Sequence, residues 1–241
     1  MPEKQDQVIL IADFGRSGQG WLSYMLCYIL NASFIEPYVL LKGQQYTASE
    51  HILSLTRGHL PGREKTPYAM VVKTHEYPSV DINLTDKIIC LTRDPRDVAV
   101  SYYNMQVVNS KKIKNWKNVL LNRKLIHYSR TALKWTKYYQ CWQGKDCYWV
   151  RYEDMITDLK NTLKGILAYL GIEAKEEILK EAMEEFSFAK ITGRTPGVED
   201  KKNLEFRKGI MGDYKNHFNK LEMKLFSQIC SKVASEHGYI L

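Results

Sequence analysis

Four short polar clusters carry residues suited to holding an anion: Gly15-Arg16-Ser17-Gly18-Gln19-Gly20, Lys73-Thr74-His75, Thr92-Arg93-Asp94-Pro95-Arg96 and Arg151-Tyr152-Glu153-Asp154. Arginine offers a fixed fork of N–H donors that matches phosphate, and lysine offers a mobile point charge. A glycine-rich turn offers bare backbone N–H groups. Histidine titrates near neutrality, so it can accept a proton at physiological pH. Together these groups suit a phosphate-bearing ligand.

Each cluster directly follows a short apolar run. The runs are residues 8–12, 69–72, 88–91 and 147–150. Val8-Ile9-Leu10-Ile11-Ala12 is unbroken, the pattern of a strand covered on both faces. Helical spacing is expected over residues 21–30, over 97–105 after the turn Asp94-Pro95-Arg96, and over 154–170, closed by Gly171. Two further helices are expected over 175–185 and 221–238, with a long polar stretch, 192–219, between them. Loops of that length in a compact domain are mostly functional or disordered. Strands alternating with helices imply an α/β fold with a central parallel sheet flanked by helices. Ligands bind beyond the carboxyl ends of such strands, so all four clusters are expected at one edge.

Gly15 and Gly20 have the spacing of the glycines in the phosphate-binding pattern GxxxxGK[ST], but Trp21 and Leu22 follow. The lysine that reaches the β- and γ-phosphates is absent, as is the hydroxyl that holds magnesium. This argues against an ATP- or GTP-dependent phosphoryl transferase.

The 241 residues carry 35 Lys+Arg against 27 Asp+Glu, a net charge of +8. Hydrophobic residues at 44% and charged residues at 26% exclude disordered and fibrous classes. The length fits a single domain, 1–241. No apolar run approaches the roughly 18 residues of a membrane span, and the polar start MPEKQDQ lacks a signal-peptide core. The five cysteines are scattered, with no CxxC or Cys/His cluster, so no metal is expected. A reduced, cytoplasmic setting is expected. The cationic surplus implies an anionic partner without saying whether it is nucleic acid, a membrane surface or a small phosphate ligand.

Five segments are similar to one family. FGRSGQGW (14–21) resembles the 5′-phosphosulfate loop of sulfotransferases that use 3′-phosphoadenosine 5′-phosphosulfate (PAPS). TRDPRDVAVSYY (92–103) resembles their 3′-phosphate motif, and VVKTHEYP (71–78) the segment carrying their catalytic base. RYEDM (151–155) resembles a further signature, and SFAKITGRTPGVEDKKNLEFRKGIMGDYKNHF (187–218) their cofactor-closing segment. The segments follow family order over most of the chain.

The resemblance implies a P-loop-like sulfotransferase fold, PAPS as donor, adenosine 3′,5′-bisphosphate (PAP) as product, and no metal. It implies that Ser17, Gly18, Gln19 and Gly20 bind the 5′-phosphate, chiefly through backbone N–H groups. The family's usual Thr-Thr is replaced here by Gln19-Gly20. Arg16, which stays protonated, then stabilises the leaving group rather than donating a proton. Arg93 and Ser101 match a 3′-phosphate pair, and Arg207, Lys208 and Gly209 a second set of contacts to that group. Trp21 and Phe188 match aromatics facing adenine, and Tyr152 a ring-edge contact. His75 matches the general base, and Lys73 supplies positive charge near the sulfuryl group or the acceptor.

Residues 32–68 and 105–147 show little family signature and are expected to set acceptor choice. The first holds Tyr38 and Tyr46; the second interleaves Lys111, Lys112, Lys114, Trp116, Lys117, Arg123, Lys124 and Arg130. That mixture suits a polyanion partner, but the favoured reading is amphipathic helices with a solvated basic face, Trp116, Leu120, Leu133 and Trp135 being partly buried. NKLEMKLF (219–226) lacks the family's KxxxTVxxxE dimer pattern. The expected function is sulfuryl transfer to a hydroxyl of a small-molecule acceptor, with neither nucleic acid nor membrane as partner. An amine acceptor, a degenerate nucleotide kinase and a non-catalytic polyanion-binding protein remain open at this point.

Overall fold

The computed structural model describes residues 6–36, 50–58, 60–78, 85–108, 120–173, 175–200 and 206–241. Five parallel strands form its frame: β1 (Gln7–Ala12), β2 (Ser33–Ile35), β3 (Tyr68–Thr74), β4 (Lys87–Thr92) and β5 (Tyr148–Arg151). Their order across the sheet is β2-β3-β1-β4-β5. The four expected strands are present. β2 is additional, a three-residue edge strand too short to show a period in the sequence.

The register brings the strand ends level. Ala12 lies beside Thr74 on one side and Cys90 on the other, and Thr92 lies beside Arg151. The residues that follow therefore emerge at one edge, as the order of clusters along the chain implies. β1 is central because its side chains alternate between two apolar cores. Ile9 and Ile11 pack on one face with helix α1 (Gln19–Leu30), while Leu10 and Ala12 join the core on the other face with α3 (Pro95–Tyr103). The short α2 (Glu50–Leu55) leads back towards the sheet. The second core is completed by α4 (Leu120–Trp142) and, near the C-terminus, α9 (Lys220–Glu236).

The α3 start is set locally. Asp94 accepts the Arg96 N–H at 2.9 Å and Pro95 occupies the first helical position, where its missing N–H costs nothing. The helix continues into a π turn, Asn104–Val108. The single helix expected over 154–170 is instead two, α5 (Tyr152–Thr157) and α6 (Leu159–Tyr169). Asp158 separates them with φ −149° and ψ 68°, and its side chain accepts from the Asn161 N–H at 3.3 Å. Asp competes for backbone donors inside a helix and is favoured as a cap, so the apolar period carries across a real break. Two helices follow, α7 (Glu176–Glu185) and the one-turn α8 (Phe188–Thr192). The 192–219 stretch ends in a 3-10 turn, Asp213–Asn216.

Along α4, Tyr128, Ala132, Trp135, Tyr139 and Trp142 share one buried face, as a 3.6-residue period requires. The sequence expectation for this helix needs correction: Trp135 is fully buried, whereas Leu133 lies on the outer face, 58% exposed. Tyr38, Tyr46, Lys111, Lys112, Lys114, Trp116 and Lys117 lie outside the described residues, and so does the Leu120 side chain. All five cysteines are free thiols, three of them buried. Among the described residues, no helix is long and apolar enough to cross a membrane.

Removing the Asp158 cap should loosen the α5–α6 junction. Asp158→Ala is expected to lower unfolding free energy by about 0.5–2 kcal/mol and Asp158→Asn by much less, read from the midpoint of urea denaturation.

Candidate active site

The strand ends open onto a cavity of about 310 Å³. Every predicted site residue except Ser17 lines it: Arg16, Gly18, Gln19, Gly20, Trp21, Lys73, His75, Arg93, Ser101, Tyr152, Phe188, Arg207, Lys208 and Gly209. Residues separated by up to 193 positions thus meet at one sheet edge.

The loop after β1 is built for exposed N–H groups. Gly15, Arg16 and Gly18 all have positive φ, at 101°, 63° and 91°. Gly18 caps α1 without any side-chain hydrogen bond to the first turn, and Gly18, Gln19 and Gly20 line the cavity, where the first N–H groups of a helix have no intrahelical partner. Gly18 is also a packing requirement, because a Cβ would lie 2.7 Å from the Tyr152 ring. Ser17 is fully buried, its N–H donating to Asp13 Oδ2 at 3.2 Å. The Gln19 side chain is likewise turned inward. Its amide donates to the Ile11 carbonyl and, at 2.9 Å, to the Thr74 carbonyl, fastening β1 to β3. In place of two hydroxyls facing a ligand, the chain has an interstrand tie.

The cationic groups are held in place by named contacts. Arg16 Nε donates to Ser101 Oγ at 3.0 Å, joining the loop to α3. Arg93 donates to the Arg16 and Ile210 carbonyls at 3.1 and 3.0 Å and lies 4.3 Å over the Tyr152 ring. Its Nε is buried without a hydrogen-bond partner among the described residues. Arg207 reaches Asp213 at 2.5 Å and Glu199 at 2.8 Å, while Lys208 reaches Asp213 at 2.8 Å. Burial alone would raise the Asp213 carboxyl. Hydrogen bonds from His217, Lys208, Arg207 and Asn216 outweigh it and hold that group well below the usual carboxylate range. Gly209, at φ 63°, lets the Phe188 ring lie directly against the backbone. Trp21 Nε1 donates to the Phe186 carbonyl at 2.7 Å, and its ring meets Tyr152 edge-on.

His75 stands at the end of β3 with its side chain 47% exposed. Its Nδ1 lies 2.6 Å from Asp13 Oδ1 and 3.1 Å from the Asp13 carbonyl. Burial by itself would lower its pKa, and Lys73 opposes the charged form. The Asp13 carboxylate and its hydrogen bonds outweigh both and raise the pKa above the ordinary value. Lys73 is itself paired with Glu36 at 2.8 Å.

Five acidic residues that hold the site together were missed from the sequence: Asp13, Glu36, Asp97, Glu199 and Asp213. Asp97, on α3, accepts the N–H groups of Gly212 and Tyr214 at 2.6 and 2.8 Å and lies 3.7 Å from Arg93. It thereby ties the 207–216 segment to α3. Asp13 carried a signal of its own. It is a charged residue closing an unbroken aliphatic strand, and such a group is buried only when partnered.

This arrangement has known counterparts. The family model described as "Sulfotransferase domain" matches residues 6–238. The chain belongs to the sulfotransferase family. Sulfotransferase 1B1 of Mus musculus is 26% identical over 94% of this chain and 82% of its own length. Sulfotransferase 2A1 of Homo sapiens is 25% identical over 93% and 83%. Among solved structures, mouse sulfotransferase SULT7A1 complexed with PAP superposes with a TM-score of 0.63 at 20% identity, covering 96% of this chain and 86% of that one. Retinol dehydratase in complex with androsterone and inactive cofactor PAP gives 0.62 at 19% identity, covering 97% and 82%. The five-stranded parallel sheet is thus the sulfotransferase fold, and the protein is a transferase rather than a nucleotide kinase or a binding module.

Because Asp97 is buried and accepts two backbone N–H groups beside Arg93, Asp97→Ala leaves donors and a charge without their partner. It should cost about 3–5 kcal/mol of stability, measured by chemical denaturation, with the 207–216 amides losing hydrogen-exchange protection first.

Proposed function

We propose that this sulfotransferase, as a single cytoplasmic domain over 1–241, moves the sulfuryl group of PAPS to a hydroxyl of a small-molecule acceptor and releases PAP. The observation that carries this reading is the shared cavity. Loop N–H groups and four cations, Arg16, Arg93, Arg207 and Lys208, line it together with a histidine held by a carboxylate.

The residues fit such a donor. Glycine-bounded loop amides, freed by positive φ, suit the 5′-phosphate end. Arg93, with its unpartnered buried Nε, Ser101, and the Arg207-Lys208-Gly209 turn suit the 3′-phosphate. Trp21, Tyr152 and Phe188 supply ring surface for adenine, since stacking on a base contributes about 1–3 kcal/mol. When bound, the donor supplies the sulfuryl group and a bisphosphate leaving group. His75 takes the proton of the acceptor hydroxyl at its ring nitrogen. Arg16 stabilises charge developing on the leaving phosphate, and Lys73 adds positive charge at the acceptor side. An alcohol acceptor is supported by relatives: one curated relative is 3-alpha-hydroxysteroid sulfotransferase of Cavia porcellus, and solved neighbours hold androsterone or retinol.

Two measurements test the reading. PAP at about 100 times its Kd should stabilise the protein by about 2.7 kcal/mol, a rise of roughly 5–10 °C for this size. Adenosine monophosphate at the same concentration should shift it far less, and equal shifts would remove the 3′-phosphate assignment of Arg93, Ser101 and Arg207. A screen of alcohols, phenols and amines with labelled PAPS, read by product mass, identifies the acceptor class. On the acceptor found, His75→Ala should lose about 10²–10⁴-fold in turnover while binding PAP as before. Undiminished turnover would rule out His75 as base.

A further inference from the structure

The Asp13 carboxylate, closing β1, is fully buried and has two separate duties. Oδ2 accepts the Ser17 N–H at 3.2 Å from within the glycine loop, and Oδ1 meets His75 Nδ1 at 2.6 Å. The backbone carbonyl of the same residue lies 3.1 Å from that nitrogen. A carbonyl oxygen only accepts, so Nδ1 must carry a proton. The single ring nitrogen left with a lone pair is then Nε2. We infer that Asp13 is the positioning residue of this site: it holds His75 as the Nδ1–H tautomer with Nε2 free, raises the affinity of Nε2 for a proton, and ties the base to the loop through Ser17. This rests on the reading of His75 as base and adds the group that makes it one.

A buried carboxylate behind an imidazole fixes the tautomer and stabilises the imidazolium formed when the other nitrogen takes a proton. The surroundings favour that assignment. From β3, Lys73 faces the ring with like charge, but its Nζ is paired with Glu36 at 2.8 Å. From α3, Tyr102 donates to the Phe14 carbonyl at 3.0 Å, and burial together with the Asp13 charge pushes its own pKa up to about 12. From α4, Tyr139 donates to the Leu91 carbonyl at 2.7 Å, and burial holds both it and Tyr138 protonated. Arg16 also lines the cavity and is held to Ser101. Asp13 is therefore the acidic group in direct contact with His75 among the described residues, and it outweighs both burial and Lys73.

Asparagine at position 13 keeps the shape and the backbone carbonyl but removes the negative charge that lies 2.6 Å from His75 Nδ1. The test is long-range ¹H–¹⁵N spectroscopy of the full-length protein saturated with PAP, titrated over pH. In the wild type His75 should be the Nδ1–H tautomer and titrate above the ordinary histidine value of about 6.5. His127 and His237, whose pKa values burial lowers, should titrate below it and serve as controls. In Asp13→Asn, which keeps the backbone carbonyl, the Nδ1–H tautomer should persist while the His75 midpoint moves to lower pH, the two controls unmoved. An unshifted midpoint in Asp13→Asn overturns the inference. If that variant does not fold, a wild-type His75 in the Nε2–H form, or titrating below 6.5, overturns it equally. The base reading fails separately, by retained turnover of His75→Ala with the wild-type tautomer as stated.

Discussion

Cations gathered around one small cavity repel each other whenever no ligand is present, and this fold contains that repulsion with carboxylates. Two like charges about 4 Å apart at an effective dielectric near 20 repel by about 4 kcal/mol, a large fraction of a domain's net stability. Here Lys73 is paired with Glu36, His75 with Asp13, Arg93 faces Asp97, and Arg207 and Lys208 share Asp213. The acidic partners lie behind or beside the cations. The site can therefore be rigid before a ligand arrives, and pre-organised donors lose little on binding.

The same carboxylates join elements far apart in sequence. Asp97 fixes the Gly212 and Tyr214 amides to α3, so the 207–216 segment inherits the position of the helix that follows β4. Asp213 then aims Arg207 and Lys208 from within that segment. A parallel connection uses Glu153, which accepts the Asp94 N–H at 3.0 Å and the Tyr239 hydroxyl at 2.9 Å, while Tyr239 also meets Thr92 at 3.0 Å. The β4 end, α3, α5 and the C-terminus are thereby locked together. Arg207 is also paired with Glu199, whose side chain is 31% exposed. That outer pair is the weaker of the two, because ion pairs near solvent contribute little.

This division explains what the sequence revealed and what it concealed. Strands β1, β3, β4 and β5 were legible because each is an apolar run, and their shared edge was legible because each run is followed by polar residues. The cations stood out because anion binding needs arginine, lysine and free N–H groups. Their carboxylate partners did not, since an isolated Asp or Glu in sequence is ordinarily a solvated surface residue. Asp13 reaches His75 because β1 lies beside β3, and Asp97 reaches the Gly212 and Tyr214 amides across 115 and 117 positions, long-range facts with no local pattern. Gln19 was opaque in a different way. Its side chain, for which the sequence offered no role, is an internal tie between Ile11 and Thr74. The Asp158 break lay hidden because the apolar period of α5 runs on into α6.

The charge of +8 can now be divided by location. Around the cavity the cations are largely balanced by their partners, so the site contributes less to the surplus than its motifs suggest. Along α4 the aromatic residues that alternate with basic ones in the sequence are separated in space. Tyr128, Trp135, Tyr138, Tyr139 and Trp142 are at most 1% exposed, while Arg130, Lys134 and Lys137 lie outside. Stacking on nucleic-acid bases needs exposed rings beside the cations, and over 123–142 the buried aromatics cannot offer them. Lys124 is drawn inward as well, bonded to the His217 carbonyl and Glu222. Over 123–142 the basic character of this helix is thus that of a solvated outer face on an aromatic core.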